Sequence, residues 1–295
     1  MNQIIPKGRL LIIGGAEDKG ENELSMADHN PKFVEMEILK KMVSVKTRNP
    51  RIEVITTASN EPEKVKRMYK KAFDKVGFKN IGFINIQDKT EARNEDFVKR
   101  IQKARSVLFT GGDQFKIATI LGGTIFAKAI KDKYFHDKDF TVAGTSAGAA
   151  VAPEVMIQEG GTYEALFESD LRTGGGIGLI EDCIIDTHFI KRGRFGRLAH
   201  AIIRNPGNLG IGLGEDTAII INKGYEAQCL GSGTVVIIDG RDIENTNIND
   251  VKNDESAIYV DNLRVHLLVK KCKFNIRTYE LSYPKSKQAT KTSGK

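Results

Sequence analysis

The chain has 295 residues, 40% of them hydrophobic and 28% charged, with a formal net charge of +7. That length suits one large α/β domain or two small ones, and the composition is that of a globular protein rather than a fibrous or disordered one. No run of about 18 apolar residues is present, which argues against a transmembrane helix. The start, "MNQIIPKGRLLIIGG", lacks the build of a signal peptide, so a cytoplasmic location is the default expectation.

In chain order, "RLLIIGG" (residues 9–15) is a short β-rich run ending in glycine, followed by a helical spacing of Phe33, Met36, Leu39 and Val43. Then come the strand "RIEVITTAS", the amphipathic helix "EKVKRMYKKAFDKV", the strand "NIGFINI" and the helix "NEDFVKRIQKA". "SVLFTGG" reads as a fourth strand, residues 116–131 as helical and "TVAGTS" as a fifth strand. Short apolar strands alternating with helices predict a mostly parallel sheet sandwiched by helices.

The second half changes character. "CIIDTHF" reads as another strand and leads into the arginine-rich "IKRGRFGRLAHAIIRNP". From Leu209 onward the pattern is mostly β, in "GIGLGEDTAIIINKG", "YEAQCLGSGTVVIIDG" and "NLRVHLLVKKCKFNI". Glycine-bounded strands with few helices between them predict antiparallel additions to the sheet edge. With no Pro-, Ser- or Gly-rich linker, residues 1–283 are expected to form a single domain. The lysine-rich residues 284–295 are expected to be a disordered tail.

Cys183, Cys229 and Cys272 are scattered without CxxC spacing, and the five histidines show no paired-ligand spacing. Neither a disulfide framework nor a metal site is expected. The positive charge raises nucleic acid as a partner, but no nucleic-acid motif or aromatic interleaving accompanies it, so none is expected.

The sharpest chemical signal is Gly144-Thr145-Ser146-Ala147-Gly148, a G-x-S-x-G following the apolar "FTVA". In a nucleophile elbow the chain turns sharply from strand to helix and holds a serine in a strained conformation. Small neighbours are needed because strand and helix then approach closely. The N–H of Ala147 at the helix start is suited to a developing oxyanion. A second donor is expected from the glycine turn of "FTGGDQ", at Gly112 or Asp113. A serine nucleophile needs a base, and the base needs an orienting carboxylate. His188 ends the apolar run of "CIIDTHF", where a sheet presents residues to a ligand crevice. For the acid there are two candidates: Glu215, at a glycine-bounded break in "GIGLGEDTAIII", and Glu164 in "GGTYEALF". Glu215 is favoured, because a strand context fixes a side chain rigidly.

With these residues assembled, the chain resembles the cyanophycinases, in the serine peptidase family that also contains α-aspartyl dipeptidase. The resemblance rests on "LIIGGAED", "FTGGDQ", "GTSAGA", "DTHFIKRGRFGRL" and "GIGLGEDTA", in that order over about residues 11–220. It implies a class I glutamine amidotransferase-like (flavodoxin-like) α/β fold, no cofactor, and a homodimer. It also implies a Ser-His-Glu triad of Ser146, His188 and Glu215, with Glu164 as the alternate acid. The substrate it implies is cyanophycin, an aspartate backbone bearing arginines on its side chains, released as β-Asp-Arg dipeptides. Gln114, Asp186, Arg192, Arg194 and Arg197 match the family's substrate-binding positions. Thr187 departs from the glutamine the family commonly carries before the histidine.

The chemistry of the basic segment agrees with that implication. Gly193 and Gly196 would let the backbone approach a ligand, and guanidinium forks bind carboxylates bidentately. Asp186 sits two residues before His188 and has two readings: a holder for a cationic substrate group, or a partner for the nearby arginines. Two rival functions are a peptidase acting on short acidic or isoaspartyl peptides and a non-catalytic binding module of the same fold. A glutamine amidotransferase proper would carry cysteine in the elbow.

Overall fold

The computed structural model describes residues 4–20, 33–44, 47–161, 165–250 and 256–284. Strands β1 (Arg9–Ile13), β2 (Ile52–Ile55), β3 (Ile81–Ile84), β4 (Ser106–Phe109) and β5 (Thr141–Thr145) all run parallel, in the order β3-β2-β4-β5-β1. Their side chains alternate between two apolar layers, which is why the sequence shows near-continuous apolar runs. Leu10, Ile12, Val107 and Phe109 face one core with helices α2 (Glu95–Lys103), α3 (Gln114–Leu121) and α4 (Ile125–His136). Leu11, Ile13, Val54 and Leu108 face the other, with Tyr69, Ala72 and Phe73 of helix α1 (Pro62–Val76). One charge interrupts this pattern: Glu53, buried in β2, accepts from Arg51 at 2.8 Å and from Arg100, and Gly82 opposite it in β3 leaves the room.

Local signals account for the helix ends. Proline opens α1 and Gly77 closes it at a φ of 95°, while Asn94, Asp113 and Thr124 cap α2, α3 and α4 with side-chain oxygens. Two expectations change here. Residues 116–131 are not one helix, because Gly122 and Gly123 end α3 before α4 begins. The spacing of Phe33, Met36, Leu39 and Val43 builds only turns and a short 3-10 segment at Leu39–Lys41, although Met36 and Leu39 are buried as the pattern requires.

The β-rich second half divides between two sheets. After the four-residue helix α5 (Ala147–Ala150), β6 (Val155–Gly160) and β7 (Leu171–Gly175) pair as a two-stranded ribbon. β10 (Thr217–Asn222), β11 (Glu226–Gly231), β14 (Lys273–Asn275) and β15 (Leu281–Ser282) extend the large sheet antiparallel beyond β1, as expected. β8 (Cys183–Asp186), β9 (Leu209–Leu213), β12 (Val235–Asp239) and β13 (Arg264–Leu268) instead form a separate four-stranded sheet. Ile185, Ile211 and Ile237 join the core of the large sheet, whereas Ile184, Val236 and Ile238 pack on helix α6 (Phe195–Arg204). The architecture is therefore mixed α/β, with a large sheet that is parallel from β1 to its β3 edge and antiparallel beyond β1. No helix among the described residues is long and apolar enough to cross a membrane.

Candidate active site

β1, β4 and β5 end together at their carboxyl edge, where crevices form in parallel sheets, and β8 and β9 of the second sheet end beside them. Ser146 follows β5 directly, with φ 52° and ψ −115°, outside the comfortable regions for a residue with a side chain. The glycines of the elbow are sterically required. A Cβ on Gly144 would lie 2.1 Å from the Gly148 carbonyl oxygen, and one on Gly148 would lie 2.2 Å from that of Phe109.

The Ser146 hydroxyl lies 3.0 Å from His188 Nε2, and His188 Nδ1 lies 2.7 Å from Glu215 Oε1. Glu215 occupies the crossover from β9 in the small sheet to β10 in the large one, which explains its place between two apolar runs. Its second oxygen accepts from Lys191 Nζ at 2.9 Å. Burial pushes the Glu215 carboxyl up, but bonds from Lys191 and His188 outweigh it and hold the carboxyl below its ordinary value. His188 is held below the ordinary histidine value of 6.5, chiefly by burial and further by the charges of Arg192 and Arg194, against an opposing pull from Glu215. A neutral imidazole between a hydroxyl and a carboxylate is equipped to accept the hydroxyl proton. Arg192→Gln is therefore expected to raise the imidazole pKa, moving the acid limb of the kcat profile to higher pH. A limb that stays in place or moves to lower pH would contradict this.

Three consecutive carbonyls grip the site from below. Ile13 accepts the N–H of Ser146 at 3.0 Å, Gly14 that of His188 at 2.8 Å, and Gly15 that of Asp216 at 3.0 Å. The three donors all have left-handed backbone, with φ of 52°, 48° and 45°. Gly15 has to be glycine, since a Cβ there would lie 2.4 Å from His188 Nε2. The double glycine in "LIIGGAED" was the sequence signal for this grip.

The turn after β4 approaches the serine, and a Cβ on Gly111 would sit 3.3 Å from that of Ser146. Of the expected oxyanion donors, Gly112 and Ala147 have N–H groups with no partner among the described residues. Asp113 differs: its N–H donates to Ala58 at 3.0 Å and its carboxylate caps α3, so it has no free donor to offer.

The remaining predicted residues separate into two groups. Buried Asp186 accepts from Arg194 Nη1 at 3.1 Å, from Arg197 Nε at 2.6 Å and from the N–H of Thr187 at 2.8 Å. Arg194 also donates to the Thr187 carbonyl at 2.7 Å, and Arg197 to Gly160 at 3.4 Å. Asp186 thus pairs with the neighbouring arginines, the second of its two readings, and buried Thr187 belongs to the same cluster. Arg192 is exposed, and Gln114 uses its amide N–H groups on Ile157 at 3.2 Å and Gln158 at 3.5 Å, while its oxygen has no partner among the described residues. Glu164, the alternate acid, lies outside the described residues.

The model of peptidase family S51 matches residues 10–228. A cyanophycinase of Synechococcus elongatus is 32% identical over 278 residues, covering 94% of this chain and 82% of that protein. A cyanophycinase of Nostoc sp. strain PCC 7120 is 33% identical over 263 residues, covering 89% of this chain and 83% of that protein. The crystal structure of a peptidase from an acI-B1 Actinobacterium shares the fold with a TM-score of 0.58 at 22% identity, over 81% of this chain and 93% of that one. With the family match running from β1 into β11, the chain belongs to peptidase family S51 and is a serine-type peptidase.

Proposed function

We propose that this protein is a cyanophycinase, cleaving the aspartate backbone of cyanophycin to β-Asp-Arg dipeptides through a triad of Ser146, His188 and Glu215. The observation that carries the reading is the hydrogen-bonded line from Ser146 Oγ to His188 at 3.0 Å and on to Glu215 at 2.7 Å. The relatives named cyanophycinase supply the substrate class. Ser146 attacks the backbone carbonyl while His188 takes its proton, and Glu215 holds the imidazole in the tautomer that leaves Nε2 free to accept. Charge on the carbonyl oxygen is met by the N–H groups of Gly112 and Ala147, each worth about 3–4 kcal/mol in comparable sites. His188 then gives its proton to the leaving amine, and water releases the acyl group by the reverse sequence.

Arg192 is the cation available for a substrate carboxylate, and Gln114 offers its amide oxygen to a guanidinium. Asp186, Arg194 and Arg197 act as the frame that holds the turn carrying His188. A fold of the class I glutamine amidotransferase type belongs to the same reading, supported by the elbow at the end of a parallel central strand. Incubation with purified cyanophycin, with products read by mass spectrometry, tests it: β-Asp-Arg is expected from the wild type and none from Ser146→Ala. The pairing of Arg194 and Arg197 with Asp186 leaves fewer anchors for a long polymer, which favours a second reading, cleavage of short isoaspartyl peptides. Intact polymer alongside cut isoaspartyl peptides would establish that alternative.

A further inference from the structure

We infer that Glu17 is a positioning residue for Ser146, tethering the loop that grips the triad to the strand that delivers the nucleophile. This rests on the triad reading above. Glu17 follows the three gripping carbonyls by two residues and is 3% exposed, although nothing in the proposed reaction uses it. Its Oε2 accepts from Thr145 Oγ1 at 2.7 Å, and Thr145 is the residue immediately before the nucleophile. Its Oε1 accepts from the Tyr69 hydroxyl and lies 3.3 Å from Lys19 Nζ. The next residue continues the pattern, since the N–H of Asp18 donates to Asp216 Oδ1 at 3.0 Å.

A carboxylate so deeply buried is costly unless its oxygens are satisfied, and here both are. The tether runs between the two segments whose separation sets where Ser146 lies relative to His188. One segment is the loop whose Gly14 carbonyl holds the His188 backbone, and the other is the end of β5. The left-handed conformations of Ser146, His188 and Asp216 persist only where their surroundings over-determine them. The Glu17–Thr145 bond is a side-chain link between the grip and the elbow, so its loss lets the elbow relax away from the imidazole. A displacement of about 1 Å at a reacting atom costs on the order of 100-fold in rate.

The test uses a fluorophosphonate probe on the full chain, which reads serine reactivity independently of the natural substrate. Ser146 Oγ forms a bond to phosphorus, the phosphorus–fluorine bond breaks, fluoride leaves, and the hydroxyl proton passes to His188. Thr145→Val removes the tether while leaving Glu17 with Tyr69 and Lys19; Thr145→Ser keeps the hydroxyl; Glu17→Gln removes the charge. Labelling per folded molecule is expected to slow at least about tenfold in Thr145→Val and Glu17→Gln, and to return to within about twofold of wild type in Thr145→Ser. Thermal midpoints measured in parallel confirm that each protein is folded at the assay temperature. Labelling of Thr145→Val within twofold of wild type would overturn the inference, as would a Thr145→Ser protein as slow as Thr145→Val. Failure of the underlying triad reading looks different: the wild type itself would be unlabelled, or labelled at a residue other than Ser146.

Discussion

Ser146→Ala is expected to lower kcat by a factor on the order of 10⁴–10⁶ while leaving the fold intact, because it removes the hydroxyl proposed as the nucleophile. Among the described residues its side-chain partner is His188, at 3.0 Å, so removing it disturbs no other side-chain bond of those residues. His188→Ala is expected to cost a similar factor, since without the imidazole the hydroxyl keeps its proton. The double variant should lose little more than either single one, because the two groups act as a unit. Kinetics on cyanophycin or on the isoaspartyl peptides check all three proteins. Multiplicative losses in the double variant would mean that serine and histidine act separately, and the proposed proton transfer would fall.

Asp186→Ala is expected to destabilise the protein by about 3–5 kcal/mol, because it leaves two guanidinium groups largely buried without their counter-charge. The Arg194 and Arg197 side chains are only 15% and 12% exposed, so water cannot readily replace the carboxylate. For a chain of this size the melting temperature should fall by roughly 10 °C. Activity should fall as well, since Asp186 and Arg194 between them hold the N–H and the carbonyl of Thr187, the residue before His188. Thermal unfolding and steady-state kinetics distinguish this from a direct substrate contact. An Asp186→Ala protein with unchanged stability and a raised KM would return Asp186 to the binding pocket.

The parts of this site that are local in sequence were the legible ones. The elbow could be read because Gly144 and Gly148 flank Ser146 at a spacing that only close strand–helix contact explains. The five parallel strands were visible as apolar runs because both of their faces are buried. What could not be read were the partners. Arg192, Arg194 and Arg197 look alike in a string of letters, and only packing shows that two of them turn inward to Asp186. The N–H of Gly112, without a partner among the described residues, and the committed one of Asp113 are likewise neighbours in sequence with different fates. The second sheet was missed because a glycine-bounded strand does not announce which sheet it joins. β6 and β7 were missed because a two-stranded ribbon with partly exposed faces has neither a long apolar run nor a clean alternation.

The crossover at Glu215 has a consequence for the order of events during synthesis. β1 is made before every other strand of the large sheet, yet one of its two neighbours, β10, is made some two hundred residues later. Until β10 arrives, that side of β1 is an unpaired edge, and the carboxylate carried at the start of β10 is not beside the imidazole. Pairings between such distant segments form late, because the closure entropy of a long loop must be met first. A half-made chain therefore carries Ser146 and then His188 without the Glu215 carboxylate that contacts the imidazole in the folded protein. The strand that seals this edge of β1 also brings the Glu215 carboxylate to His188, so under the proposed triad the site is completed only as the large sheet closes.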